Sequence, residues 1–188
     1  MQQIAISGVG GQGVLFVTKL LAETALDLGH SVLISETHGM AQRGGNVISH
    51  LKISGGDAEC PRLRSPLIRP GKADLMLILH PDGLVIHGFY LKPGGWIFCN
   101  RSSVNGNSDA VGETSVDANG IALELGAPVC ANLVLLGYAS GSGQLFCRAE
   151  QVEATLRRAG GKRSEINLEA FQAGLREAAA RDWGQAGQ

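Results

Sequence analysis

Ile4-Ala5-Ile6-Ser7-Gly8-Val9-Gly10-Gly11-Gln12-Gly13-Val14-Leu15 decides how this chain folds. Ile4 to Ser7 is short, apolar and bounded by Gly8, the pattern of a buried parallel strand. Val14, Val17, Leu20, Leu21, Ala25 and Leu28 then recur at helical spacing, and Gly29 supplies the stop. Ser31-Val32-Leu33-Ile34-Ser35 reads as a second strand. A strand–helix–strand unit of this kind crosses over right-handed. It predicts an α/β fold: a Rossmann-like three-layer domain with a mostly parallel sheet and helices on its faces.

Between strand and helix, Gly8, Gly10, Gly11 and Gly13 fit G-x-G-x-x-G in the context that gives the pattern meaning. Glycine lets the backbone turn sharply and approach an anion, and the N–H groups at the helix start then point at phosphate oxygens. Gln12 adds a carboxamide. The same glycines also serve a bare strand-to-helix turn. Glu36 ends the second strand about 20 residues further on, where a ribose-binding carboxylate is expected, so the first thirty-six residues alone also suggest NAD.

Further along, Val47 to Ile53 reads as a third strand and Leu75 to Leu79 as a strongly apolar fourth. Residues 54–71, with Arg62, Arg64 and Arg69 among prolines and glycines, read as a long loop. A short helix is expected over 82–90, and a strand over Trp96 to Cys99 after Pro93-Gly94-Gly95. Residues 101–116, rich in Ser, Asn, Asp and Gly, read as surface loop. Helices are expected over 117–125, 130–139, 148–158 and 165–182. Asn167 or Ser164 is the expected cap of the last, with Glu165 and Glu169 suiting its start. No internal repeat interrupts the pattern, and residues 1–188 read as one domain.

The 188 residues are 44% apolar and 18% charged, with 27 glycines and a net charge of -1. No basic stripe suggests a nucleic-acid partner. The low charge suggests that other protein chains cover part of the surface. Met1 leads directly into the first strand without a signal-peptide pattern, and no apolar run reaches membrane-spanning length, which predicts a cytoplasmic protein without a membrane partner. Cys60, Cys99, Cys130 and Cys147 form no Cys-x-x-Cys pair, and the histidines at 30, 38, 50, 80 and 87 show no metal-ligand spacing. No metal site and no catalytic acid, base or nucleophile is expected from these residues.

Glu36-Thr37-His38-Gly39-Met40-Ala41-Gln42-Arg43-Gly44-Gly45 is more than a plain nucleotide-binding unit needs. Glycines around Arg43 let its planar fork sit close to a carboxylate, a phosphate or another backbone, and Met40 offers an adaptable apolar contact. An ordinary exposed loop is the plain alternative. Taken with the opening glycine loop, this segment resembles the gamma-type subunits of the 2-oxoacid:ferredoxin oxidoreductases. Ser65-Pro66-Leu67-Ile68 before Gly71-Lys72-Ala73-Asp74, Leu91-Lys92-Pro93-Gly94-Gly95, and Asn132 before Leu135-Leu136-Gly137 extend the likeness over about residues 3–175. The His-Gly-Met-x-Gln-Arg-Gly-Gly form is most similar to the small (beta) subunit of indolepyruvate ferredoxin oxidoreductase. Enzymes for 2-oxoglutarate more often carry Tyr-Gly-x-x-x-Arg-Gly-Gly. One departure is His80-Pro81-Asp82-Gly83, where the family pattern has a Glu-rich helix start.

The resemblance implies oxidative decarboxylation of a 2-oxoacid, with indolepyruvate or another aryl-pyruvate as the suggested substrate, to an acyl-CoA with reduction of ferredoxin. Thiamine diphosphate with Mg2+, [4Fe-4S] clusters and coenzyme A supply the chemistry in the complex. None of these is expected on this chain alone, which lacks both a cluster cysteine pattern and a thiamine diphosphate motif. It implies partner subunits that bind thiamine diphosphate and iron–sulfur clusters, with ferredoxin reached through them, and leaves room for a homodimer. Gly8, Gly10, Gly11, Gln12 and Gly13 are the expected cofactor-binding residues, for the phosphates of coenzyme A. Glu36, His38, Met40, Gln42, Arg43, Gly44 and Gly45 are the expected partner or active-site loop. Two other readings stay open: a free-standing NAD-dependent oxidoreductase using Glu36 for ribose, and a nucleotide-binding regulatory module without a redox partner.

Overall fold

Ile4, Ala5 and Ile6 are successive residues of one strand, β1 (Gln2–Val9), and all three are fully buried. Successive side chains leave a strand on opposite faces, so β1 needs cover above and below and a place inside the sheet. The computed structural model describes residues 1–38, 45–55, 64–101, 113–161, 163–181 and 183. Among them the further strands are β2 (Ser31–His38), β3 (Asn46–Ser54), β4 (Ala73–Ile78), β5 (Leu91–Asn100) and β6 (Glu113–Val116). They form a sheet of order β2-β3-β1-β4-β5-β6.

β1, β4, β5 and β6 pair in parallel, while β3 is antiparallel to both β1 and β2. β2 therefore runs with β1, and β3 alone opposes the rest, so the expected mostly parallel sheet is present. What differs is adjacency: β3 fills the place beside β1 that a simple strand–helix–strand unit gives to β2. An antiparallel return needs only a short connection, and the segment between His38 and Asn46 is short enough to make it.

The helices are α1 (Val14–Asp27), α2 (Asp82–His87), α3 (Ala118–Glu124), α4 (Ala131–Gly141), α5 (Ala149–Ala159) and α6 (Ser164–Ala179). One face of the sheet carries the main core: Ile4, Ile6, Leu51, Leu75, Leu77 and Phe98 pack under Val17 and Leu21 of α1, Leu133 of α4 and Phe171 of α6. The other face is thinly covered. There Ala5, Ile48, Met76, Ile78 and Ile97 meet Ile68, Leu84 of α2 and Tyr90 in the 3-10 turn Gly88–Tyr90.

Three local expectations are corrected. Glu113–Val116 is a strand rather than loop, because Thr114 and Val116 are buried beside β5; residues 102–112 lie outside the described residues. β5 begins at Leu91, and Pro93-Gly94-Gly95, with Gly94 at φ +72°, forms the irregularity where the register against β4 shifts between Ala73 and Leu75. Neither Ser164 nor Asn167 caps α6: Arg163 stands at the cap position without a capping bond, and Asn167 Oδ1 accepts from the Cys130 thiol at 3.3 Å.

Every residue of α4 from Asn132 to Ser140 is buried, as befits a helix wedged between sheet and helices. Its contact with α6 is backbone on backbone. A Cβ built on Gly174 would lie 1.9 Å from the Val134 carbonyl oxygen, and one on Gly137 2.0 Å from that of Phe171. No rotamer change relieves a clash with a carbonyl. Gly174→Ala is therefore expected to destabilise the fold by about 3 kcal/mol, as overpacking does. Alanine's better helix propensity, about 1 kcal/mol, does not offset this. Urea unfolding checks it, and an unchanged midpoint contradicts the close contact.

On the thin face His50 is 1% exposed, with Nδ1 unpartnered and its ring edge-on to Tyr90 at 4.9 Å. His87 Nδ1 lies 2.7 Å from Ser7 Oγ. Burial, then His87, then Lys52 hold the His50 imidazole below its usual pKa of 6.5, and burial does the same to His87. Folded, both take up protons less readily than unfolded. The stability they contribute is whole above pH 6.5 and is lost as pH falls through their lowered values. His50→Gln is expected to flatten this acid limb in a series of denaturation curves; an unaltered pH slope rules His50 out as its source.

Candidate functional site

The chain leaves β1 for α1 on the thick face and leaves β4 for α2 on the thin face. A crevice opens between such diverging connections at the carboxyl ends of the strands. Here it is a cleft of ≈ 310 Å³ lined by Gly11 and Gln12 after β1, Leu79 after β4, Asn100 at the end of β5, Asn119 of α3, and Pro128, Val129, Ala131 and Asn132 around the start of α4. Among the described residues no ionisable side chain lines it.

The glycine loop forms one wall. Gly8 closes β1 where a Cβ would meet Gln12 Oε1 at 2.9 Å and Leu79 Cβ at 3.0 Å, so the turn packs too tightly for a side chain. Gly11 and Gly13 take φ of +96° and +78°, conformations that favour glycine. The Gln12 amide donates to the Val9 carbonyl at 3.1 Å, and the Val9 amide donates to Gln12 Oε1 at 2.8 Å. Gln12 thus braces the loop from within. The Gly10 amide donates to the Gly45 carbonyl at 3.0 Å. The donors left for a ligand are the amides of Gly11, Gly13 and the first turn of α1, which helix geometry leaves without intrahelical acceptors. No side chain caps α1, and its first turn holds no acidic residue, so its positive end is uncompensated.

Asn132, 8% exposed, supports this wall from α4. Its Oδ1 accepts from the Leu133 amide at 2.9 Å, and its Nδ2 reaches the Gly13 carbonyl at 3.5 Å. Asn100, 3% exposed, donates through Nδ2 to the Leu79 carbonyl and to Asn119 Oδ1, each at 3.1 Å. Its own Oδ1 is buried without a partner. On the far side of the loop lies a second, more apolar hollow of ≈ 370 Å³, lined by Val9, Gly10, Gly11, Gly13, Val14, Leu15, Phe16 and Val47.

The second segment singled out in the sequence arrives at the same end of the sheet. Gly45 is tied to Gly10, and Asn46 then pairs with Val9. His38 pairs with Val47 as the last residue of β2; its side chain, like Met40, Gln42, Arg43 and Gly44, lies outside the described residues. Glu36 faces Ser49 across β2 and β3, so a whole strand separates it from β1. Two strand spacings, about 10 Å, divide it from the strand that carries the glycine loop, which removes the adjacency a ribose-binding carboxylate needs.

Sequence reasoning missed Asn100 and Asn119 as site residues and met Asn132 only as part of a family likeness. One signal was present: a carboxamide ending the buried apolar run Ile97-Phe98-Cys99 stands where ligands of open α/β sheets bind.

The arrangement offers uncharged donors at the carboxyl ends of the strands of a doubly wound sheet, which defines a Rossmann-like domain. Comparison places it more narrowly. The family model for pyruvate ferredoxin/flavodoxin oxidoreductase matches residues 3–177, and the chain belongs to that family. Indolepyruvate oxidoreductase subunit IorB of Thermococcus kodakarensis is 30% identical, over 93% of this chain and 95% of the relative. The gamma subunit of a keto/oxoacid ferredoxin oxidoreductase from Geobacter sulfurreducens superposes with a TM-score of 0.74 at 26% identity, covering 96% of this chain and 100% of that one. The fold also recurs, at TM-score 0.79 and 19% identity, within 2-oxoglutarate:ferredoxin oxidoreductase from Magnetococcus marinus, solved with 2-oxoglutarate, coenzyme A and succinyl-CoA bound. It covers 97% of this chain and 32% of that longer one. Among the described residues no helix is long and apolar enough to cross a membrane.

Gly13 and Gly29 separate two costs. Both have φ near +78°, but a Cβ on Gly29 meets nothing within 4 Å, while one on Gly13 lies 2.2 Å from Asn132 Nδ2. Gly29→Ala is expected to cost about 1 kcal/mol, the left-handed penalty alone. Gly13→Ala is expected to cost about 2 kcal/mol more, because buried Asn132 must shift. Equal losses in chemical denaturation would show that Asn132 does not press on the loop.

Proposed function

We propose that this chain is the small subunit of a cytoplasmic 2-oxoacid:ferredoxin oxidoreductase acting on indolepyruvate or another aryl-pyruvate, with residues 1–188 forming one domain. The glycine loop holds the phosphates of coenzyme A, and the segment from Glu36 to Gly45 meets the subunit that binds thiamine diphosphate. The full-length likeness to an indolepyruvate oxidoreductase subunit supports the assignment. The observation that carries the division of labour is the hydrogen bond from the Gly10 amide to the Gly45 carbonyl, which ties the anion-binding loop to the arginine-bearing segment.

The residues fit such a ligand. The amides of Gly11, Gly13 and the first turn of α1 can grip phosphate, and Asn132 keeps Gly13 in place. Coenzyme A, when bound, supplies the thiol that accepts the acyl group. The chain carries no Cys-x-x-Cys pair of the kind cluster sites use and no thiamine diphosphate motif. Thiamine diphosphate with Mg2+ and the iron–sulfur clusters therefore belong to partner subunits, which pass electrons to ferredoxin. The role of this chain is to position the acyl acceptor and to close the site against its partner.

The test is co-expression with the thiamine-diphosphate-binding and cluster-binding subunits of an indolepyruvate ferredoxin oxidoreductase. Arg43→Ala is expected to weaken assembly or turnover of indolepyruvate by about ten-fold or more, as loss of an interface arginine does. A fully assembled, fully active variant removes the proposed role of Arg43.

A further inference from the structure

Sheets built mainly of parallel strands are covered on both faces. Here α1, α4 and α6 cover one face, but among the described residues the other carries only α2, six residues long, the turn Gly88–Tyr90 and the approach to β4 around Ile68. This thin cover turns apolar groups outward as well as inward. Val85 is 88% exposed and Phe89 56%, and Ile86 and Leu67 are exposed too. Val85 and Phe89 stand one helical turn apart, and the Phe89 ring leans on that of Tyr90 with centroids 4.3 Å apart. The Gly71 and Lys72 amides donate to the Phe89 and Tyr90 carbonyls, each at 2.9 Å, which joins the approach to β4 to the turn. Apolar surface gathered in this way marks an interaction site.

A second observation concerns charge. Lys52 of β3 faces Gln3 and Leu33 in the neighbouring strands, on the same face as His50 and Ala5. Its side chain is half-buried, and burial, then Arg69, hold its ammonium below the usual lysine value. Among the described residues neither Lys52 nor Arg69 forms an ion pair. Asp74 of β4 and Asp82 of α2 do not compensate them, because Asp74 accepts from the Gln3 amide and from Lys92, and Asp82 pairs with His80. Two like charges held together without an anion favour a surface that supplies carboxylates.

We propose that this thin face docks a companion subunit of the same enzyme, whose surface brings carboxylates to Lys52 and Arg69 and an apolar centre to Val85 and Phe89. The proposal rests on the reading of the chain as one subunit of an assembly. It adds an interface to the one assigned to the Glu36–Gly45 segment: Lys52 lies six residues along β3 from Asn46, about 20 Å at the rise of a strand. A second copy of this chain is the poorer occupant. A two-fold contact sets a patch against itself, which brings cations to cations and adds no free carboxylate.

Co-expression with the same companion subunits supplies the complex for the test. A carbodiimide, which joins an amine to a carboxylate in contact with it, is expected to link Lys52 to an Asp or Glu of a companion subunit, mapped by mass spectrometry of the digested complex. Arg69→Glu and Val85→Asp, both at exposed positions outside the core, are each expected to weaken binding of the companion by about ten-fold, as loss of a central interface residue does. The cross-link on the wild-type complex stands as a test even where a variant does not fold. Folded variants that both assemble as tightly as the wild type, or an assembled wild-type complex with no link from Lys52 to another subunit, overturn the docking surface and leave the subunit assignment standing. A wild-type chain that fails to assemble overturns the assignment and the surface with it. An isolated chain that sediments as a dimer, and that Val85→Asp returns to a monomer, gives the face to a second copy and overturns the choice of occupant.

Discussion

The Gly10 amide donates to the Gly45 carbonyl one step past Val9 and Asn46, the last paired residues of β1 and β3. That bond depends on β3 running against β1. Were β2 the neighbour of β1 with β3 outside it, Gly45 would enter the sheet a strand further from Gly10. With β3 inserted, the chain that leaves β1 at Gly10 and the chain that enters β3 at Gly45 meet at one point. The glycine loop and Gly45, the residue at which the segment carrying Arg43 ends, are thereby fixed to each other by backbone, the least adjustable material in the molecule.

Support for this end of the sheet comes from α4, not from the loop. A loop rich in glycine has high conformational entropy and needs outside restraint to hold one shape. Gln12 restrains it from within through Val9, and Asn132 restrains it from across the cleft. Asn132 is itself held because α4 is buried along its length and locked to α6 where Gly137 and Gly174 bring the two backbones into contact. The glycines of the helices and of the loop thus act in opposite senses. In α4 and α6 the missing side chains remove freedom by allowing closer packing, and in the loop they permit a conformation that Asn132 then fixes.

How much of this the sequence disclosed follows from the range of each interaction. Strand–turn–helix was legible in Ile4 to Leu15 because apolar runs and glycines report local geometry. The direction of β3 was not, since Val47 to Ile53 has the same composition whether it runs with or against its neighbour. β6 was hidden because Glu113-Thr114-Ser115-Val116 looks polar, and only pairing with β5 buries Thr114 and Val116. The glycine loop was legible as a tight strand-to-helix turn, but not that Gly10 and Gln12 have their amides engaged, since those bonds depend on Gly45 and on the fold of the loop itself. Asn100, Asn119 and Asn132 are scattered over three elements, and only the fold gathers them.

The uncharged character of the cleft bears on how the proposed subunit works. Coenzyme A is strongly anionic, yet the groups offered by this chain are amides and the end of one helix. A helix end contributes about 0.3–1 kcal/mol toward an exposed anion, and a neutral hydrogen bond about 1 kcal/mol net. A few such terms, set against the freedom lost on binding, give weak affinity for the separate chain. Tight retention then needs cationic groups from the facing subunit, or from the arginine-bearing segment once it is docked. A weak half-site completed only in the assembly suits a carrier that must arrive with a free thiol and leave with its acyl group. On the proposed function, the neutral wall makes binding of the acyl acceptor conditional on assembly.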